Sequence, residues 1–197
     1  MISSNEVSVA KAQQKGQIRI IGGRWRGRKL AVLHAEGLRP TGDRIKETLF
    51  NWIQFDLAGS RVLDLFAGTG SLGFEALSRG AAQATFVETH LPAARQLQEN
   101  IALLKAEASV ETRSAEQLLP SLPANSVDLI LIDPPFQQGW LPRIIPLLEN
   151  SGCLTEHALI YVECERREDF SQWPSNWHLL RDKEIGQVHF RLFTRES

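Results

Sequence analysis

The sequence predicts an α/β fold built on one mixed, seven-stranded sheet, and three observations carry that expectation. From residue 61 onward, short and nearly continuous apolar runs alternate with helical patterns: VLDLF then SLGFEALSRG, ATFVE then LPAARQLQENIALLK. Runs of that kind suit parallel strands covered by helices on both faces. The most apolar run, VDLILID, stops at two consecutive prolines. The third observation is the segment 177–195, where two strand-like runs flank a turn at residues 185–187. There Val188, Phe190 and Leu192 alternate with His189, Arg191 and Phe193, the period-2 pattern of an antiparallel hairpin at the sheet edge.

Taken in order, residues 1–17 read as a polar, disordered tail. Residues 18–33, IRIIGGRWRGRKLAVL, are two apolar runs around a Gly/Arg-rich centre, a β-hairpin with a basic tip. Residues 43–55 place Ile45, Leu49, Trp52 and Ile53 on one helical stripe, with Thr41 or Asp43 as its cap. Residues 18–55 thus form a basic N-terminal extension, and 56–197 the main domain. Within the latter a helix ends at Gly80, SVET is a strand, and a short helix spans about 115–119. Residues 138–149 are helical and ALIYVECE is a buried strand.

The 197 residues, 43% apolar and 23% charged, suit one soluble domain. No run approaches the roughly 18 apolar residues of a membrane helix. The N-terminus lacks the apolar centre of a signal peptide, so a cytoplasmic protein is expected. Cys153 and Cys164 are too few for a zinc site, and the five histidines show no ligand spacing, so no metal is expected. The net charge of -1 hides an asymmetry: residues 1–55 hold ten Lys/Arg against four Asp/Glu, and the remainder twelve against nineteen. Arg19, Arg24, Arg26, Arg28 and Lys29 crowd around Trp25. A basic arm on an acidic body suits contact with a polyanion, and Trp25 within it suits stacking on a base.

The loop DLFAGTGSLG matches G-x-G-x-x-G through Gly68, Gly70 and Gly73, with a strand before it, a helix after it and Glu88 ending the next strand. Glu88 can accept both ribose hydroxyls of an adenosine. Charge selects among cofactors. A dinucleotide would set its pyrophosphate near Asp64, which repels it. S-adenosylmethionine brings a sulfonium and an ammonium, which a carboxylate stabilises. Asp64 bracing the loop is the plainer alternative.

VDLILIDPPF ends its strand in a φ-restricted turn whose prolines lack amide donors. The turn therefore offers acceptors, the Asp133 carboxylate and the Pro134 carbonyl, to an exocyclic amino group whose lone pair must face a methyl donor. Phe136 supplies a face for a flipped base. DLFAGTG, Glu88 and DPPF together resemble the amino-directed, Rossmann-like class I methyltransferases. IIGGRWRGRKL and RPTGDRIKETLFNWI resemble the RsmD family, which methylates a guanine N2 of 16S ribosomal RNA; the likeness covers residues 18 to about 195.

That resemblance implies Arg39 and Thr41 at the methionine end of the cofactor. Asp64, Ala67, Gly68, Thr69 and Gly70 would contact it, with Glu88 on the ribose and Ala115 and Glu116 at the adenine. It implies Asp133, also near the cofactor, with Pro134 and Phe136 on the guanine. Arg24, Trp25, Arg26, Arg28, Lys29 and Arg44 would meet RNA in a 30S subunit or assembly intermediate. Adenine-N6 and protein-glutamine methyltransferases share the chemistry but usually carry Asn-Pro-Pro-Tyr. A dinucleotide oxidoreductase leaves DPPF unexplained, and a non-catalytic RNA-binding module leaves the intact motifs idle.

Overall fold

A computed structural model describes residues 15–33, 42–165, 170–171 and 173–196. His34, Arg39, Pro40, Thr41 and residues 1–14 lie outside the described residues. Among those described, seven strands form one sheet in the order β5-β4-β3-β6-β7-β9-β8. The strands β3 (Arg61–Asp64), β4 (Gln83–Val87), β5 (Ala108–Glu111), β6 (Val127–Ile132) and β7 (Leu154–Glu165) run parallel. β9 (Val188–Arg195) runs antiparallel to β7 and to the edge strand β8 (Trp177–Ile185). The chain winds outward from β3 to β4 and β5, then crosses back to β6. The crevice at the carboxyl ends of β3 and β6 is therefore a topological switch point, where folds of this class bind ligands.

Alternation along β6 shows why its sequence is apolar throughout. Leu129 and Leu131 enter one core, Ile130 and Ile132 the other. The first core lies under α1 (Asp43–Trp52), α2 (Ser71–Ser78) and α3 (Leu91–Leu104); the second lies under α4 (Ala115–Leu118) and α5 (Trp140–Ser151). β9 is likewise covered on both faces, with Phe190 and Leu192 in the first core and Phe193 in the second. Only β8 of the terminal hairpin is an edge. β7 starts four residues before ALIYVECE, with a register irregularity where His157 takes φ 63°. Both cysteines are buried free thiols.

The basic hairpin is formed by β1 (Lys15–Arg19) and β2 (Lys29–Leu33), joined through a 3-10 turn at Gly23–Trp25. Residues 15–17 therefore belong to a strand rather than to the tail. The α1 cap is Gly42, because Asp43 already takes the first helical position and pairs with Lys46 at 3.3 Å. The helix ends at Trp52, with Ile53 just beyond it. Trp25 corrects a further expectation. Its side chain is 9% exposed, inside the first core, with the Arg24 guanidinium 4.0 Å from the ring centroid. A ring held that way offers no open face to a base.

The hairpin is not a loose arm. Glu75 of α2 is fully buried, and its two oxygens accept the Ile21 and Gly22 amides at 2.9 and 2.8 Å. Arg79 completes the clamp with an ion pair to Glu75 at 2.7 Å. Ser78 Oγ accepts the Trp25 amide and donates to the Gly22 carbonyl. Backbone groups that no strand partner could satisfy are thus paired by a helix fifty residues away. Glu75→Ala leaves two partly buried amides and a guanidinium unpaired, and should destabilise the protein by about 1–3 kcal/mol. Denaturant unfolding will measure it, and a loss below about 0.5 kcal/mol would contradict the clamp.

Candidate active site

Asp64 ends β3 and is 2% exposed. Its Oδ2 accepts the Gly73 amide at 3.0 Å, one of the orphan donors in the first turns of α2. Burial pushes its carboxyl up to about 7, partly offset by that amide, and the charges of Asp133 and Glu88 add to the rise. The loop above is stitched to both neighbours: the Leu65 amide reaches Leu131 O and the Ala67 amide reaches Val87 O, each at 2.9 Å. Gly70 caps α2 at φ 76°, where a Cβ would lie 2.6 Å from Leu97 and Phe74. A Cβ on Gly73 would lie 2.3 Å from the Phe86 ring. These two glycines let the helix sit tightly on β4.

Glu88 follows β4 and is partly buried, which raises its carboxyl. It accepts the His90 amide at 2.7 Å and also pairs with the Gly68 amide, so it ties the glycine loop to the start of α3. A carboxylate has lone pairs beyond those two contacts for ribose hydroxyls. Asp133 leaves β6 half-buried, followed by buried Pro134, exposed Pro135 and Phe136 at 39% exposure. The electrostatic contact between Asp133 and Asp64 brings the two motifs to one crevice.

Ala115 is buried at the start of α4, which Ser114 and Gln117 close with a reciprocal capping box. Glu116 turns instead to Arg143 at 2.5 Å. Arg143 lies 4.6 Å from the centroid of Trp140, whose ring meets Phe66 edge-on at 5.3 Å. This aromatic wall beside the glycine loop was missed in the sequence. Phe66 sits inside a recognised motif, but Trp140 reaches it only through the packing of α5.

The expected RNA contacts separate from the crevice. Arg24, Arg26, Arg28, Lys29 and Arg44 are all exposed. The hairpin tip rests on Ser78 and Arg79 at the far end of α2, whose eight residues span about 12 Å. Leu33, at the hairpin's other end, lines a recess with Gly68, Thr69, Gln96 and Leu97.

Residues 18–194 match the family described as conserved hypothetical protein 95. The ribosomal RNA small subunit methyltransferase D of Escherichia coli (strain K12) is 47% identical over 182 residues, 92% of each chain. Its Haemophilus influenzae counterpart is 48% identical over 184 residues, 91% of this chain and 94% of that one. The chain belongs to the ribosomal RNA small subunit methyltransferase D family. It is a class I, S-adenosylmethionine-dependent methyltransferase. The solved Escherichia coli yhhF structure superposes with a TM-score of 0.84 at 49% identity, over 92% of this chain and 99% of that one. A Pyrococcus abyssi tRNA (uracil-54, C5)-methyltransferase in complex with S-adenosyl-L-homocysteine shares the fold at TM-score 0.64 and 16% identity, over 91% of this chain and 44% of that one.

The crevice fits this family's cofactor by its charge. Among the described residues, the side-chain charges acting on Asp64 are those of carboxylates, which suit a sulfonium and an ammonium and oppose a pyrophosphate. Because the folded state raises Asp64 to about 7, its neutral form is favoured. The resulting stability is fully present below the unfolded value of 3.8 and is lost as pH rises through about 7. Asp64→Asn keeps an acceptor for Gly73 without that titration. The ligand-free variant should match wild type near pH 4 and exceed it by about 2–4 kcal/mol near pH 8. Parallel pH profiles of unfolding would contradict a buried, titrating Asp64.

Proposed function

We propose that this chain transfers the methyl group of S-adenosylmethionine to the exocyclic N2 of a guanine in 16S ribosomal RNA, acting in the cytoplasm on a 30S subunit or assembly intermediate. The observation that carries the reading is the meeting of the glycine loop and Asp-Pro-Pro-Phe across the switch point between β3 and β6. The relatives named for small subunit ribosomal RNA support the substrate class.

In this reading Asp64 and the loop Ala67–Gly70, with Thr69, border the cofactor, Glu88 takes its ribose, and Ala115 and Glu116 lie toward its adenine. Arg39 and Thr41 are proposed at its methionine end. When bound, the cofactor supplies an electrophilic methyl group on sulfur. Asp133 and the Pro134 carbonyl hold the amino hydrogens, and exposed Phe136 stacks on the base. The N2 lone pair so held would form the N–C bond as the methyl–sulfur bond breaks, and the proton that N2 gives up would pass to solvent water. An ionised carboxylate matches guanine, whose N1–H and N2–H donors stand side by side. Beside adenine N6 the ring nitrogen is an acceptor, which a carboxylate repels. Positioning and desolvation supply most of what the transfer needs.

Arg24, Arg26, Arg28 and Lys29 form the proposed phosphate grip, with Arg44 on α1. Trp25 is not part of it. Since the tip is clamped to the far end of α2, it grips RNA away from the target nucleotide, and its contacts position without reading sequence.

Asp133→Ala should abolish single-turnover methylation of small subunits even at saturating cofactor. Asp133→Asn keeps one carbonyl acceptor and should retain a rate about 10²-fold down. Methylation by Asp133→Ala near the wild-type rate would overturn the amino-nitrogen assignment. Neutralising Arg24, Arg26, Arg28 and Lys29 together should weaken RNA binding. Each lost phosphate contact should flatten the slope of log affinity against log salt by about 0.7–0.9. An unchanged slope would make the tip an ordinary solvated surface.

A further inference from the structure

Glu163 is 3% exposed on β7, and its Oε1 accepts the Tyr161 hydroxyl at 2.9 Å. Tyr161 is itself fully buried, two residues back on the same sheet face. The parallel register pairs Ile132 with Val162, so the next position on β6, Asp133, stands level with Glu163. On the other side Glu163 faces Phe190 of β9, whose ring stacks on Trp52 at 5.3 Å. Those two aromatic side chains bring apolar surface and no charge.

Among the described residues, the charged groups acting on Glu163 are Asp133 at the end of β6 and Asp64 at the end of β3. Lys46, the buried cation of α1, is engaged by the Arg19 carbonyl and by Asp43. An ionised Glu163 would thus stand beside two carboxylates with one neutral hydroxyl as its donor. Burial first, then the charge of Asp133, hold its carboxyl well above the usual range. In the neutral form one oxygen is occupied by Tyr161 and an O–H remains to donate, with Asp133 the acceptor at its level.

We infer that Glu163 is a positioning residue for methyl transfer, its O–H holding the Asp133 carboxylate in the orientation that receives the target amino group, with Tyr161 orienting Glu163 in turn. The inference rests on the reading of Asp133 given above. It assigns the pair an asymmetric division of labour, in which Asp133 carries the charge and Glu163 carries the proton. As pH rises and Glu163 ionises, its donor is lost and like charge faces Asp133, so the rate falls on the alkaline side.

Single-turnover methylation of small subunits across pH, with saturating cofactor, tests this in wild type, Glu163→Gln, Glu163→Ala and Tyr161→Phe. An amide donates and accepts like the neutral acid. Glu163→Gln should therefore keep the rate within about threefold and lose the alkaline decline attributable to the enzyme. Glu163→Ala should lose about tenfold or more in the chemical step with cofactor affinity and substrate KM unchanged. Tyr161→Phe, lacking only the hydroxyl, should fall between them, and it decides the matter if Glu163→Ala does not fold. Comparing wild type with Glu163→Gln on one substrate cancels titration of the guanine. The inference is overturned if Glu163→Gln is as slow as Glu163→Ala, if folded Glu163→Ala reacts at the wild-type rate, or if wild type and Glu163→Gln share one alkaline profile. Activity in Asp133→Ala sinks the parent reading. An inactive Asp133→Ala alongside fully active Glu163 variants sinks this inference alone.

Discussion

Between β3 and α2 the chain reverses direction in six residues while keeping backbone donors and acceptors available to a ligand. Asp64 makes that reversal hold. Its carboxyl is buried beneath the start of α2 and takes the Gly73 amide, so strand end and helix start are joined from below. The loop above is then held where Leu65 and Ala67 bond to the neighbouring strands and where the Gly68 amide meets Glu88. Small residues at Gly70 and Gly73 follow from this, because the helix must approach Phe86 and Leu97 too closely for a Cβ. The brace also gives the crevice its electrostatic character, since a carboxyl pushed to about 7 waits for a cation to ionise it.

The two charge populations of the chain act at opposite ends of one helix. Carboxylates gather at the start of α2, where Asp133 and Glu88 both act on Asp64. At its other end Glu75 and Ser78 hold the hairpin whose tip carries Arg24, Arg26 and Arg28. α2 is therefore a ruler between the proposed methyl-donor site and the proposed polyanion grip. A flexible basic arm would raise the local concentration of RNA without fixing an orientation. A clamped one, if it grips RNA as proposed, would fix both, at the cost of burying Glu75 and satisfying it fully.

The strand and helix elements were legible because two-sided burial imposes continuous apolar runs, and VDLILID and ALIYVECE display them. The glycine loop and Asp-Pro-Pro-Phe were legible for a related reason: their backbone geometry admits few residue types. Trp25 was misread because an indole among arginines looks the same in sequence whether it faces solvent or a core. The core that receives its ring, and Ser78 fifty-three residues later taking its backbone amide, decide that it turns inward. Glu116 was placed near the adenine by resemblance, and the structure pairs it with Arg143.

What the sequence by itself determined, then, was the fold class, the strand ends proposed to carry chemistry and the family to which the chain belongs. Those features are local, since periodicity and turn chemistry are properties of consecutive residues. Tertiary structure alone decided which charges meet. Asp133 lies sixty-nine positions from Asp64 and thirty from Glu163, and only the strand order β3-β6-β7 sets the three side by side. Burial first, and then that encounter, raise the carboxyls of Asp64 and Glu163 above their ordinary values.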